Sequence, residues 1–337
     1  MLKNKRGNWL VAVAVLMFVV PTLAAAKPFD NLPFDKLPLD KIPLGKVPFA
    51  YSELYVIGNS LSDVGNAYIA SEGQVPSFPY NEGRFTNGPN YTDYLAENYR
   101  LLNTPNLGEG NNFAWGGART SNGDPVSGLD QLGQYLAFNA AYPPDEDALF
   151  VVFLGGNNLR DIITEAGTVA AQGGNPMPII QAGIAQAIGD MSIILNNLIG
   201  AGAVNIVVPN VPNMGQVPGI TMQGSDALNY LAMVSSQGYN EALEQLLAVL
   251  DNYANIMRVN VYDLFGEVVA DPTSFGLANA TDPCIFEIYP GEWVVCENPD
   301  EYLFWDFIHP TTVGHMLLSD TVLDAVLRGL LPAVVSK

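Results

Sequence analysis

The chain has 337 residues, a formal net charge of −20, two cysteines and two histidines. That length can bury a sizeable core, while the charge excludes a nucleic-acid binder and gains little from anionic lipid headgroups. Two cysteines are too few for a zinc cluster, and no other metal-ligand spacing occurs. Between Lys46 and Lys337 the only cations are Arg84, Arg100, Arg119, Arg160, Arg258 and Arg328. Such a surface fits an exported enzyme meeting neutral or zwitterionic substrates, or a salty medium. It fits a solvated acidic coat that maintains solubility equally well.

In chain order, residues 1–26 read as a cleaved secretory signal. Lys3, Lys5 and Arg6 precede an apolar run from Trp9 to Val20, and Ala24, Ala25 and Ala26 offer a small-residue cleavage site. The run is short for a bilayer span, which takes about 20 residues, so a secreted or periplasmic protein is expected. Residues 27–51 form a proline-rich linker or arm. Pro28, Pro33, Pro38, Pro43 and Pro48 recur at a period of five, which blocks helix and favours extended chain. A folded domain is expected over 52–337.

Strands are predicted at Leu54–Ile57, Leu149–Leu154, Val204–Val208 and Met257–Tyr262. They are continuous apolar runs, as in a parallel sheet covered on both faces. Helices are predicted at Tyr91–Tyr99, Leu129–Phe138, Pro178–Ile199, Ser225–Leu250 and Thr312–Leu330. The alternation implies an α/β domain, a three-layer α/β/α sandwich with a central parallel sheet. Active sites in such sheets gather at the carboxyl ends of the strands. Ser60, Gly155 and Asn210 each fall just past a predicted strand end. Cys284 and Cys296 would close one small loop in an exported protein.

The residues that carry chemistry lie near the two ends of this domain. Ser60 stands in Gly58-Asn59-Ser60-Leu61-Ser62-Asp63 after the first strand, and a serine hydroxyl becomes a nucleophile only when a base takes its proton. His309 is the natural base. Asp306, three residues earlier in Trp305-Asp306-Phe307-Ile308-His309-Pro310, can orient the imidazole and stabilise its charged form. Donors for an oxyanion are sought in Gly116 of the Asn112–Ala118 stretch and in Asn157 of Gly155-Gly156-Asn157-Asn158. Phe275, Phe286, Tyr289 and Trp293, just before Asp306, offer a substrate wall or pack beneath a disulfide-pinned loop.

These blocks, in this order, resemble the GDSL (SGNH) lipase and esterase family from about Leu54 to the C-terminal helix. Gly83-Arg84-Phe85-Thr86-Asn87-Gly88 and Tyr302-Leu303-Phe304-Trp305-Asp306 look like its plant-type and bacterial phospholipase or haemolysin-like branch. The resemblance implies a flavodoxin-like SGNH hydrolase fold over 52–337, without metal or organic cofactor. Ser60 is then the nucleophile, with Asp306 and His309 completing the triad. The Ser60 and Gly116 N–H groups and the Asn157 amide form the oxyanion hole.

Two positions depart from the pattern. Asn59 and Asn158 stand where the family carries aspartate, which replaces an acceptor oxygen by an NH₂ donor and is expected to modify loop geometry and electrostatics. The expected function is an exported serine esterase or lipase acting on small ester or lipid substrates through an acyl-serine. A transient lipid-surface contact belongs to that expectation. A lipid acyltransferase using the same triad, and a catalytically weakened binding or adhesion protein, are the alternatives.

Overall fold

The computed structural model describes residues 51–121, 126–289 and 291–335. The expected signal segment, residues 1–26, and all but the last residue of the expected proline-rich arm lie outside them. Tyr51, that last residue, is buried with its ring edge-on to Tyr99 at 5.2 Å.

Four parallel strands form the central sheet in the order β1 (Leu54–Gly58), β2 (Leu149–Phe153), β3 (Asn205–Pro209), β4 (Asn255–Val259). Leu54 pairs with Leu149, Phe150 with Ile206 and Asn205 with Asn255. Beyond β1 the stretch Asn111–Trp115 runs as an irregular edge, for Phe113 N–H bonds Val56 O at 2.8 Å and Trp115 N–H bonds Gly58 O at 3.1 Å.

Strand residues alternate between two cores, as the period of a strand requires. Tyr55, Ile57, Phe150, Val152, Ile206 and Val208 face one side. There they meet α3 (Gly128–Ala141), α4 (Gly156–Ala171), α5 (Met177–Gly200) and α7 (Asp226–Leu250). Leu54, Val56, Val151, Phe153, Val207 and Met257 face the other, against α2 (Tyr91–Tyr99), α8 (Val261–Ala270) and α9 (Thr312–Val335). Short helices α1 (Asn66–Ala70) and α6 (Pro218–Thr221) lie in loops. The chain is therefore the three-layer α/β/α sandwich expected from its alternation of elements.

Local chemistry moves one boundary. The fourth strand, predicted to reach Tyr262, ends at Val259, because Asn260 caps α8 by accepting Asp263 N–H. Two small sheets follow α8. Strand β5 (Asn279–Pro283) pairs with β8 (Tyr302–Phe304), and β6 (Ile285–Tyr289) forms a hairpin with β7 (Glu292–Val295). A Cys284–Cys296 disulfide closes the base of that hairpin.

Candidate active site

Ser60 sits on a tight turn at the carboxyl end of β1. The Asn59 carbonyl accepts Ser62 N–H and Asp63 N–H at 2.9 and 3.0 Å, and Asn59 Oδ1 accepts Leu61 N–H at 3.0 Å. Gly58 must be glycine, because a Cβ there would lie 2.8 Å from Ser62 Cβ. Ser62 is anchored in turn by Tyr91, its Oγ standing 2.7 Å from Tyr91 Oη, an ordinary hydroxyl–hydroxyl hydrogen bond.

Asp306 and His309 share a second turn, closed by Trp305 N–H on His309 O at 2.7 Å. Asp306 Oδ1 accepts Ile308 N–H and His309 N–H, both at 2.7 Å. Its Oδ2 lies 2.6 Å from His309 Nδ1, and His309 Nε2 lies 2.8 Å from Ser60 Oγ. All three residues are at least nine-tenths buried. Burial works against a charged Asp306, but His309, the Ile308 N–H and the Tyr80 hydroxyl outweigh it and hold the carboxyl below its usual range. An ionised Asp306 keeps the imidazole proton on Nδ1, which leaves Nε2 to accept from Ser60. The segment Gly83–Gly88 buttresses the turn: Thr86 Oγ1 donates to Pro310 O at 2.9 Å, and the Phe85 ring lies 5.3 Å from the His309 ring.

The other histidine is a packing group. His315, on α9, is buried and its Nδ1 accepts Tyr91 N–H at 3.3 Å. Burial, with a smaller contribution from His309, lowers its pKa to about 3, so it is neutral at working pH.

The oxyanion donors need one correction. Gly116 was expected to supply an N–H, but that N–H donates to Asp63 Oδ2 at 2.8 Å. Asp63 is a buried carboxylate that also collects Gly65, Asn66 and Ala67 N–H groups. Its need for donors takes Gly116 out of the site. The Ser60 N–H makes no hydrogen bond to a described residue. Asn157 Nδ2 spends one hydrogen on Ala118 O at 3.0 Å, leaving its second free.

These distances make an arrangement able to activate a serine. A model of the GDSL-like lipase/acylhydrolase family matches residues 54–322. The chain belongs to that family. It is an ester-bond hydrolase by that membership. A phosphatidylcholine-sterol acyltransferase of Aeromonas hydrophila is 26% identical over 80% of this chain and 89% of the relative. A GDSL esterase/lipase of Arabidopsis thaliana is 25% identical over 80% of this chain and 88% of its own. Among solved structures, an extracellular lipase from Streptomyces rimosus is 17% identical, with 81% of this chain and 98% of that one covered and a TM-score of 0.48.

Both GDSL departures have local accounts. The turn after β1 uses one acceptor oxygen of residue 59, which an amide supplies as well as a carboxylate. Asn158 Oδ1 accepts Thr120 N–H and its Nδ2 donates to Thr120 Oγ1, both at 3.0 Å. The single Thr120 hydroxyl hydrogen goes to buried Asp190 at 2.9 Å, so residue 158 must be a donor.

A small, half-open cleft lies beside Ser60, with an enclosed volume of about 60 Å³. Asn157, Arg160 and His309 give it polar groups, and Phe153, Met214, Val217, Val261, Phe265 and Ile308 are among its apolar lining. None of the four expected wall residues lines it. Phe275 packs against the main core, Phe286 and Tyr289 are exposed on the hairpin, and Trp293 rests on Tyr80 and lines a second, open pocket with Asp306, Phe307 and Ile308. The wall comes instead from the loop after β3 and from α8. The strand-end rule, which singled out Asn210, was the signal that pointed to that loop.

Proposed function

We propose that this GDSL hydrolase is an exported serine esterase or lipase working through an acyl-serine intermediate. The observation that carries the reading is the unbroken relay from Ser60 Oγ through His309 to Asp306, at 2.8 and 2.6 Å. Ser60 Oγ attacks the ester carbonyl as His309 Nε2 takes its proton. The C–O bond to the alcohol breaks as His309 returns that proton to the leaving oxygen. Water, deprotonated by His309, then attacks the acyl-serine, releases the acid and restores Ser60. Ser60 N–H and the spare Asn157 amide hydrogen receive the oxyanion. The apolar cleft takes an acyl chain, and its open mouth admits water.

Export is supported by the basic-then-apolar start of the sequence and by the Cys284–Cys296 bridge, which persists in oxidising compartments. The deciding experiment is hydrolysis of p-nitrophenyl esters of graded chain length by wild type and Ser60→Ala. Wild type is expected to turn them over, and Ser60→Ala to lose about 10⁴-fold or more in kcat. Equal rates for both, or none for either, reject the reading. Adding a lipid alcohol and finding acylated alcohol as the main product would move the assignment to acyl transfer.

A further inference from the structure

The triad carboxylate has a fourth partner. Tyr80, in the loop between α1 and α2, donates its hydroxyl to Asp306 Oδ2 at 2.7 Å, from 226 residues away in sequence. That is the oxygen facing His309 Nδ1. The Tyr80 ring is held edge-on by Trp293 at 6.2 Å, by Trp305 at 6.4 Å and by Phe85 at 6.4 Å. With Ile285 and the Cys284–Cys296 pair, Tyr80, Trp293 and Trp305 make a satellite core apart from the two sheet cores. Trp305 precedes Asp306 in the chain, so this small core grips the catalytic turn directly.

Each Asp306 oxygen then has two donors, and the Tyr80 bond is the one that backbone geometry does not guarantee. Oδ1 is satisfied by two N–H groups of its own turn, whereas the second bond to Oδ2 depends on the ring of a distant loop. We propose that Tyr80 is a positioning residue that aims Asp306 Oδ2 at His309, and that the disulfide-closed hairpin buttresses it through Trp293. The inference rests on the serine-hydrolase reading above. Without the hydroxyl, Oδ2 is held less firmly and its negative charge is left to the imidazole alone. The first effect slows turnover; the second favours the imidazolium, which cannot accept the Ser60 proton.

Tyr80→Phe keeps the ring and its packing and removes only the donor. On a soluble ester we expect kcat to fall about tenfold, the scale of one hydrogen bond to a charged group. KM should stay within about twofold, and the acid limb of the kcat/KM profile should move to higher pH. In an Asp306→Asn background the same change should cost less than about twofold, because its route to the reaction is gone. An active wild type with an unaltered Tyr80→Phe rate and profile overturns this inference alone, and so does an equal loss in both backgrounds. A wild type without esterase activity overturns the parent reading and this inference with it. Should Tyr80→Phe fail to fold, Trp293→Ala must shift the acid limb in the same direction, and an unmoved limb is the overturning result.

Discussion

Ser60 combines two roles that the turn after β1 makes compatible: its hydroxyl meets His309 Nε2 while its N–H carries no internal bond. The neighbouring residues give sharp tests. Asn157→Ala should lower kcat about 10²–10³-fold, the usual loss for one oxyanion donor, measured at saturating ester. Gly116→Ala should also slow the enzyme although Gly116 is no donor to substrate. Its Cβ would fall 2.2 Å from the Phe85 ring, which packs on His309, and displacement of a catalytic group by about 1 Å can cost 10²-fold. Asn158→Asp should destabilise the fold by about 1–3 kcal/mol in urea titration, since the new carboxylate would face a Thr120 oxygen whose hydrogen is already given to Asp190. Asn59→Asp keeps the acceptor for Leu61 N–H and adds a negative charge to the site. It should therefore move the acid limb of kcat/KM to higher pH, and an identical pH profile would remove Asn59 from any electrostatic role.

At the scale of elements, β1 and β2 were legible because both faces are buried and each reads as an unbroken apolar run, whereas Asn205 and Arg258 interrupt the pattern of β3 and β4. Helix α4 was not legible. Ile162, Ile163, Thr164, Thr168 and Val169 are β-branched and Gly167 is permissive, all weakening local helix preference, and the burial of Leu159, Ile162, Ile163 and Ala166 secures it instead. Helix α8 was hidden for a related reason, since Val261 and Tyr262 favour strand until the Asn260 cap is seen. The β6–β7 hairpin was anticipated as a substrate wall from its aromatic residues, but most of them are turned outward and its inner face serves Tyr80. Its disulfide closes a loop with a sequence separation of 12. Replacing both cysteines by alanine should cost about 3 kcal/mol in the chain-entropy view, read by chemical denaturation. No loss would mean that the hairpin holds without it.

Over the whole molecule, stability depends on pH through groups of opposite sign: His315 and Asp306 favour the fold at neutral pH, whereas Asp63, its carboxyl raised chiefly by burial, favours it as pH falls. His315 is neutral and buried between α9 and α2, with its pKa lowered from 6.5 to about 3. Its contribution is complete above pH 6.5 and is lost as pH falls towards 3, with a slope of up to about 1.4 kcal/mol per pH unit. Asp306, also lowered, adds stability that disappears as pH falls through its folded value. Between pH 7 and pH 4 a folded His315→Gln variant should lose less unfolding free energy than wild type; parallel curves would refute the role given to His315. The sequence by itself determined the α/β/α layering, the serine turn and the Asp-x-x-His turn, because strand periodicity and hydrogen bonds spanning three or four residues are local properties. Only the tertiary structure decided that Gly116 serves Asp63, that the β3 loop and α8 line the cleft, and that Tyr80 reaches Asp306. Each of those turns on hydrogen-bond pairing or apolar packing between elements far apart in the chain, which local sequence does not encode.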